Sequence, residues 1–192
     1  LATALNNSGG ELAIVQFSTN SQIVDIDGAG PGAQGYRPIN NDFVADLSEY
    51  LYPGGDFTPA NGASGYEADG WTNWEDAFDD VIALNAIEVA DLVIFMTDGN
   101  PTAYIRANGT TCDGCNETTS LNEATAKADL VKAAGSHIYA IALGENINIS
   151  NIIAVSDNKF KIDIAVIHET VTISDIRFDS IFPRFSRYCE LG

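Results

Sequence analysis

Apolar runs of strand length alternate with apolar side chains at helical spacing along this chain. Three short runs are mostly apolar, which predicts buried strands of a sheet. They are residues 11–18, 91–96 and 137–143. Three other segments repeat apolar side chains every three or four positions, which predicts helices. They are residues 39–52, 72–82 and 121–134. Strands that alternate with helices indicate an α/β fold with a mostly parallel sheet.

Shorter patterns complete the set of predicted elements. Residues 21–26 follow the first run after a turn at Thr19 and Asn20, which predicts an antiparallel hairpin. Residues 53–70 and 103–120 are polar and predict long loops. Beyond residue 150 the pattern suggests a short helix, two strand-like runs and a closing helix. These are residues 151–155, 160–167, 170–176 and 178–191.

The length and charge of the chain narrow its class. Its 192 residues suffice for one domain, which we place over residues 1–192. It has 27 acidic and 9 basic residues and a formal net charge of -18. This balance argues against nucleic acid and anionic membranes as partners, because both need a basic surface. It fits cation binding or an extracellular setting, and solubility alone would also explain it.

No apolar run approaches the ~20 residues that a membrane helix needs, so we expect no membrane insertion. The chain begins at Leu1, without methionine, in what reads as the end of a helix closed by the polar residues 6–10. A helix end without a helix start leads us to expect further sequence upstream. We therefore expect this chain to be one domain of a larger, multidomain surface protein.

Cys112 and Cys115 form a single C-x-x-C motif in a polar loop, and Cys189 lies near the end of the chain. A zinc site would need a second pair of ligands, and a redox motif would need a strand before it and a helix beginning at it. We therefore favour a disulfide between Cys112 and Cys115 that ties the loop. Cys189 is free or pairs with a cysteine further upstream.

Two polar segments follow predicted elements in a way that could bring their oxygen atoms together. Asp98 comes two positions after the buried run at residues 91–96, at the sheet edge where open α/β sheets bind ligands. Thr72 lies where a helix begins, and its hydroxyl could reach the same edge. A carboxylate and a hydroxyl suit a hard cation such as Mg²⁺. Alternatively, Thr72 or Asn73 caps the helix, and Asp98 with Gly99 forms only a turn.

Four segments, in this order, resemble the von Willebrand factor type A (vWA) family, and most of all its secreted bacterial members. They are ELAIVQFS, GWTNWEDAF, ADLVIFMTDGNPT and LVKAAGSHIYAIALG. A final helix that ends in a cysteine, as at Cys189, adds to the likeness. The resemblance implies a doubly wound, Rossmann-like, mostly parallel sheet flanked by helices, with one antiparallel edge hairpin. It also implies that the central first strand, between ELAIVQFS and ADLVIFM, is missing from this chain. We expect that gap to leave two strand edges open and the chain to fold poorly.

The resemblance implies a metal-ion-dependent adhesion site and no enzymatic activity. In this family a D-x-S-x-S loop, a threonine and an aspartate followed by glycine contribute to the site. Thr72 and Asp98 match the threonine and the aspartate, whereas the D-x-S-x-S loop would follow the missing strand. We therefore expect weak metal binding. The implied cofactor is Mg²⁺, or Mn²⁺ or Ca²⁺, with an open position that an acidic side chain of a protein partner fills.

The implied function is adhesion or protein interaction outside the cell, through a partner with an exposed Asp or Glu. Four residues beside the ion are candidates for contact with that partner. They are Trp71, Asn73, Gly99 and Asn100. Sequons agree with a secreted or cell-surface location. They begin at Asn6, Asn108, Asn116 and Asn148.

Other functions remain open from the residues alone. A structural vWA module with an inactive metal site would show the same motifs. A hydrolase would need a nucleophile near His137 or His168, and the chain has no G-x-S-x-G motif. A dinucleotide site at the G-x-G-x-x-G sequence of residues 30–35 is disfavoured, because no helix is predicted to begin there. An accessory Ca²⁺ site could use Asp56, Glu67 and Asp69.

Overall fold

The computed structural model describes residues 2–3, 5–26, 35–51, 70–144 and 147–157. Within these ranges the chain forms short strands and helices that alternate. The strands are β1 Glu11–Leu12, β2 Val15–Phe17, β3 Ser21–Ile23, β4 Arg37–Pro38, β5 Leu92–Thr97, β6 Tyr104–Ile105, β7 Thr111–Cys112 and β8 His137–Ala142. The helices are α1 Asn41–Leu51, α2 Trp74–Asn85, α3 Glu117–Ala133 and α4 Ile149–Val155.

β5 and β8 form a parallel pair joined by the crossover helix α3. Their register runs from Leu92 opposite His137 to Thr97 opposite Ala142. Both strands therefore end at one edge, and Asp98 follows β5 at that edge. The parallel pair and the helices around it confirm the predicted α/β class.

An apolar core lies between this strand pair and the helices α2, α3 and α4. The rings of Trp74 and Phe78 in α2 contact the ring of Phe95 in β5, with centroids 5.2 and 5.0 Å away. Ala124 and Ala128, one turn apart in α3, are fully buried. Their small side chains let α3 pack closely, so this end of the chain has a well-filled interior.

A second apolar cluster lies under α1. Phe43 and Tyr50 of this helix are buried with Val24 and Ile39. α1 begins after Asn40, whose side-chain oxygen accepts a hydrogen bond from the backbone N–H of Phe43 at 2.9 Å. Such a cap satisfies one of the free N–H groups at a helix start, which is why the predicted helix at residues 39–52 begins here.

The predicted single strand at residues 11–18 is wrong in one respect, because the structure divides it into β1 and β2. β1 pairs with β4, whereas β2 pairs with β3, and both pairs are antiparallel. Between β1 and β2, the backbone changes its hydrogen-bonding partner from the β4 side to β3. Gly10 accepts a hydrogen bond from Ile39, and Ile14 accepts one from Val24. The predicted hairpin of residues 11–18 with residues 21–26 is confirmed in its β2–β3 part.

β2 and β5 contact each other through side chains without belonging to one sheet. The ring of Phe17 in β2 stacks on the ring of Phe95 in β5, with centroids 5.5 Å apart and planes 12° from parallel. In the described part of the chain, β2 pairs only with β3, and β5 only with β8. Each of these two strands therefore keeps one edge without a strand partner among the described residues.

Two predicted boundaries need correction between β5 and β8. α3 begins at Glu117 rather than at residue 121, because the side chain of Asn116 accepts the backbone N–H groups of Thr118 and Thr119 at 2.9 and 3.3 Å. The predicted loop at residues 103–120 contains a small hairpin of β6 and β7. Its strands have 2 residues each, which is too short for a hydrophobic pattern to register.

Several predictions concern residues outside the described ranges. They are the loop at residues 53–69, the glycine motif at residues 30–34, the elements at residues 160–191, and Asp56, Glu67, Asp69, His168 and Cys189. Among the helices of the described residues, none has both the length and the apolar composition to cross a membrane.

Candidate functional site

Thr72 and Gly99 meet at the edge of the sheet where β5 ends. A Cβ atom placed on Gly99 would lie 3.0 Å from Oγ1 of Thr72 and 3.9 Å from its Cβ. A side chain at residue 99 would therefore press on the threonine hydroxyl, which would have to shift by a few tenths of an ångström. The structure thus brings Thr72, from the segment before α2, against the turn of Asp98 and Gly99 after β5.

Asn73, not Thr72, caps α2. The side-chain oxygen of Asn73 accepts a hydrogen bond from the backbone N–H of Asp76 at 3.2 Å. Its side-chain amide donates to the carbonyl of Thr19 at 3.0 Å, and its backbone N–H donates to the carbonyl of Ser18 at 2.8 Å. Asn73 is fully buried, so it faces the interior rather than a partner. Its predicted role in partner contact gives way to that of a helix cap.

The backbone of Thr72 is held on both sides by one residue. Its N–H donates to the hydroxyl of Thr102 at 3.1 Å, and its carbonyl accepts the N–H groups of Thr102 and Ala103 at 2.9 and 3.1 Å. The Thr72 hydroxyl makes no hydrogen bond with any described residue. It is therefore positioned by the backbone and remains available to a ligand.

Thr97, the last residue of β5, shapes the turn that follows. Its hydroxyl accepts a hydrogen bond from the indole N–H of Trp74 at 3.2 Å and donates one to the carbonyl of Gly99 at 2.9 Å. Asp98 lies between Thr97 and Gly99 in the chain, and its side chain is exposed. Within the described ranges its carboxylate has no hydrogen bond and no ion pair. Thr97 thus fixes the backbone on both sides of a carboxylate that is free to bind.

Asn100 ties the same edge to the helices beyond it. Its side-chain oxygen accepts hydrogen bonds from the backbone N–H of Asn148 at 2.8 Å and from the side-chain amide of Asn151 at 3.2 Å. That amide also donates to Glu117 at 2.6 Å. These bonds connect the loop after β5 to the first turns of α4 and α3. They give the side chain of Asn100 a structural role in addition to its predicted place near a partner.

Trp71, next to Thr72, is 48% exposed and lies against a loop that the sequence did not connect to it. A Cβ atom placed on Gly114 would lie 2.9 Å from Cη2 and 3.0 Å from Cζ2 of the indole. Gly114 sits between Cys112 and Cys115, which are joined in a disulfide. The cysteine loop therefore forms part of the same rim as Thr72.

The acidic residues of α2 form bonds within the protein rather than a solvated face. Ser21 in the β2–β3 hairpin donates its N–H to Asp76 and its hydroxyl to Asp80, both at 2.6 Å. Lys127 of α3 donates to the two oxygens of Asp79 at 2.6 and 2.8 Å. These contacts attach α2 to the hairpin on one side and to α3 on the other.

Glu75, in the first turn of α2, is a buried carboxyl. One oxygen accepts the backbone N–H of Ile105 at 2.6 Å, and the other lies 4.0 Å from the ammonium of Lys127. Burial raises the pKa of the Glu75 carboxyl above its ordinary value, while the Ile105 N–H and the Lys127 charge oppose that shift. Burial likewise raises the pKa of Asp80, against the bond from Ser21.

The oxygen atoms of Thr72 and Asp98 at this edge are of the type that binds a hard cation, but they are too few to fill its coordination shell. The Thr72 hydroxyl and the Asp98 carboxylate are the donor types that Mg²⁺ and Ca²⁺ prefer. Among the described residues, no group of three or more His, Cys, Asp or Glu side chains could hold a metal ion. A Mg²⁺ site with one or two protein carboxylates normally completes its shell with water and ligand oxygens, so the two residues fit as part of such a site.

His137 lies at the other end of the strand pair. It opens β8 opposite Leu92, and its Nδ1 lies 2.9 Å from a carboxylate oxygen of Asp157. The whole length of β8 therefore separates His137 from the sheet edge at which Asp98 lies. His137 therefore cannot serve a nucleophile at that edge, and the hydrolase alternative receives no support from it.

Comparison with protein-family models, with curated proteins and with solved structures gives no match to this chain.

Proposed function

We propose that this chain is a vWA-type interaction module that binds an acidic group of a protein partner through a divalent cation at Thr72 and Asp98. The observation that carries the proposal is the contact of Thr72 with the Asp98–Gly99 turn. The hydroxyl oxygen of Thr72 lies 3.0 Å from the position that a Cβ atom would take on Gly99. The two segments are 26 positions apart in sequence, and the fold brings them together at the edge where β5 ends. Asn73 supplies the cap of α2, so helix capping does not use the hydroxyl of Thr72.

The break between β2 and β5 supports the fold part of the proposal. A doubly wound vWA sheet would have its central first strand between these two strands. The stacked rings of Phe17 and Phe95 lie at that break, and no hydrogen-bond ladder joins β2 to β5 within the described residues. The remaining oxygen ligands would come with that strand, in a D-x-S-x-S loop that this chain does not carry.

The charge at the proposed ion favours an acidic partner group, although the protein itself is acidic. One Asp carboxylate and neutral hydroxyls leave a divalent cation with residual positive charge, which an incoming carboxylate neutralises at close range. The formal net charge of -18 repels anions at longer range, and salt screens that repulsion. The ion supplies the attraction, while Thr72 and Asp98 fix where it acts.

The proposed setting is the cell surface or the extracellular space, as part of a larger protein. The disulfide between Cys112 and Cys115 supports an oxidising compartment. The excess of acidic residues fits surroundings in which salt and divalent cations screen them.

Titration of the chain with Mg²⁺, Mn²⁺ and Ca²⁺, followed by calorimetry, tests the proposal. We expect weak binding, with a dissociation constant of about 10⁻⁴–10⁻³ M, as in weak extracellular sites. Asp98→Ala and Thr72→Val should each remove it. Asp91→Ala and Thr118→Val are matched controls, because both side chains are exposed and make no hydrogen bond among the described residues, and Asp91 lies before the other end of β5.

Three outcomes would contradict the proposal. Binding that is equal in the chain and in Asp98→Ala would mean that cations bind only the diffuse acidic surface. Absence of any binding that depends on Thr72 and Asp98, even when a strand with D-x-S-x-S is supplied upstream, would favour a structural module with an inactive site. Turnover of a substrate that survives both chelation and Asp98→Ala would favour an enzyme instead.

A further inference from the structure

The disulfide loop supports the partner-facing side chain beside the proposed ion. Trp71 is a large apolar residue that keeps 48% of its surface exposed. Its six-membered ring lies directly over Gly114, so near that a Cβ there would lie 2.9 Å from Cη2. A half-exposed tryptophan that rests on fixed backbone is a rigid contact surface, of the kind that dominates many protein interfaces.

The same loop is bonded to the other side of Thr72. The backbone N–H of Cys115 donates to the carbonyl of Thr102 at 2.7 Å. Thr102 in turn makes the hydrogen bonds that hold the Thr72 backbone, with its hydroxyl at 3.1 Å from the Thr72 nitrogen. The loop therefore reaches Trp71 through Gly114 and Thr72 through Thr102.

The conformation of the loop depends on Gly114 and on the disulfide together. Gly114 has φ +60°, in the left-handed region that residues with a side chain rarely adopt. The disulfide joins Cys112 at the end of β7 to Cys115, with Cα atoms 5.8 Å apart. Without it, the turn between β7 and α3 keeps the hydrogen bond of Cys115 to Thr102, but the exposed residues Asp113 and Gly114 can move away from the indole.

We propose that the Cys112–Cys115 disulfide is a redox-sensitive support for the partner-binding rim. While it is intact, Trp71 rests on Gly114 and the rim is ordered for binding. When it is reduced, the loop leaves the indole, Trp71 becomes mobile and the affinity for the partner falls. The effect on affinity rests on the proposed function, whereas the release of Trp71 does not.

The chemical step is thiol–disulfide exchange with a dithiol reductant. Cys115 is half-buried and Cys112 is buried, so the attacking thiolate reaches the sulfur of Cys115. That attack breaks the bond between the two sulfurs, forms a mixed disulfide at Cys115 and releases Cys112 as a thiolate, which takes up a proton. The second thiol of the reductant then displaces Cys115. The protein gains two thiols, and the reductant is oxidised to its own disulfide.

Tryptophan fluorescence reports the release without any metal or partner. The chain has 2 tryptophans, and Trp74 is fully buried in the core. Acrylamide quenching of the full chain, carrying Cys189→Ser to prevent exchange with a third cysteine, therefore reports mainly on Trp71. Reduction by dithiothreitol should raise the quenching constant by up to about twofold, since Trp71 would go from 48% exposed towards full exposure. Cys112→Ser with Cys115→Ser should show the raised value without reductant.

Two glycine variants provide a matched pair. Gly114→Ala places a methyl group against the indole, and Gly109→Ala introduces the same backbone penalty at φ +80° with nothing within 4 Å. We expect Gly114→Ala to raise the quenching of Trp71 and Gly109→Ala to leave it unchanged. Far-ultraviolet circular dichroism and a Trp74→Phe background verify that the signal comes from Trp71 in folded protein.

Unchanged quenching on reduction in folded protein would overturn the inference, because Trp71 would then hold its place without the disulfide. Increased quenching with a cation titration that depends on Thr72 and Asp98 would support both the inference and the proposed function. Increased quenching without such cation binding would support the release of Trp71 and count against the proposed function. The two proposals therefore fail separately.

Discussion

The hydroxyl oxygen of Thr72 lies 3.0 Å from the position that a Cβ atom would occupy on Gly99. Thr72 ends the segment before α2, and Gly99 follows β5, so the contact joins two elements at the edge where the parallel strands end. The absence of a side chain at residue 99 is therefore part of the site's geometry.

Gly99→Ala should weaken cation binding while leaving the fold intact. The added methyl group would push the Thr72 hydroxyl away, and the loss of a well-placed supporting contact typically costs about 10-fold or more in metal affinity. Gly10→Ala is the control, because its Cβ would lie at 3.3 Å from the hydroxyl of Ser8, far along the chain from this edge. Calorimetric titration of both variants measures their affinity for the cation. Equal affinities in the two variants would mean that Gly99 only forms a turn.

Asn73→Ala and Thr72→Ala should separate helix capping from ligand binding. Loss of the Asn73 cap should lower the free energy of unfolding by about 1 kcal/mol. Loss of the Thr72 hydroxyl, which has no hydrogen-bond partner among the described residues, should change it by less than about 0.5 kcal/mol. Urea denaturation measures both values. A larger destabilisation by Thr72→Ala than by Asn73→Ala would return Thr72 to the role of a cap.

Thr97→Val should destabilise the protein through the turn after β5. It leaves the indole N–H of the buried Trp74 without its acceptor at 3.2 Å and removes the donor to the Gly99 carbonyl. An unsatisfied buried donor costs about 1–3 kcal/mol in the free energy of unfolding. Thr97→Ser, which keeps the hydroxyl, should recover most of that loss. If both variants were equally unstable, the methyl packing of Thr97 rather than its hydrogen bonds would be responsible.

Glu75 should make the stability of the protein fall as the pH rises above the acid range. Its pKa in the folded protein is raised above the ordinary 4.5 by burial. The folded state therefore binds this proton more tightly than the unfolded state does. The resulting stabilisation is present below pH 4.5 and is lost as the pH rises through the raised pKa.

Glu75→Gln should remove that part of the pH dependence, because an amide does not titrate in this range, while its oxygen can still accept the Ile105 N–H. Glu11→Gln is the control, since it also removes one negative charge but from an exposed side chain. The measurement is the free energy of unfolding against pH for the three proteins. A curve for Glu75→Gln that parallels the curve of the unmodified chain would show that burial of Glu75 does not govern its titration.

The strands that could be predicted from the sequence are those with long apolar runs. The runs at residues 91–96 and 137–143 became β5 and β8, because six consecutive residues suffice for a pattern of burial to appear. β6 and β7, with 2 residues each, are set instead by the return of the chain around Gly109. The division of residues 11–18 between β1 and β2 depends on which strand each half pairs with, and an apolar run does not encode its partner.

The candidate site likewise has features that local sequence predicts and features that depend on contacts between distant segments. Thr72 and Asp98 were found from their places before a helix and after a strand, and the structure brings their segments together. The choice of Asn73 over Thr72 as the cap depended on backbone angles that both residue types can adopt. The contact of Trp71 with Gly114 joins residues 43 positions apart, and no local pattern in the sequence predicts a contact over that separation.

The most direct test of the account is a nuclear magnetic resonance titration of the labelled chain with Mn²⁺. A paramagnetic ion broadens signals steeply with proximity, so it locates a site even when binding is weak. If Thr72 and Asp98 hold the cation, the amide signals of Thr72, Asp98 and Gly99 should broaden first, and Asp98→Ala should abolish that selectivity. Broadening that follows the acidic residues at large, and that is unchanged in Asp98→Ala, would contradict the account.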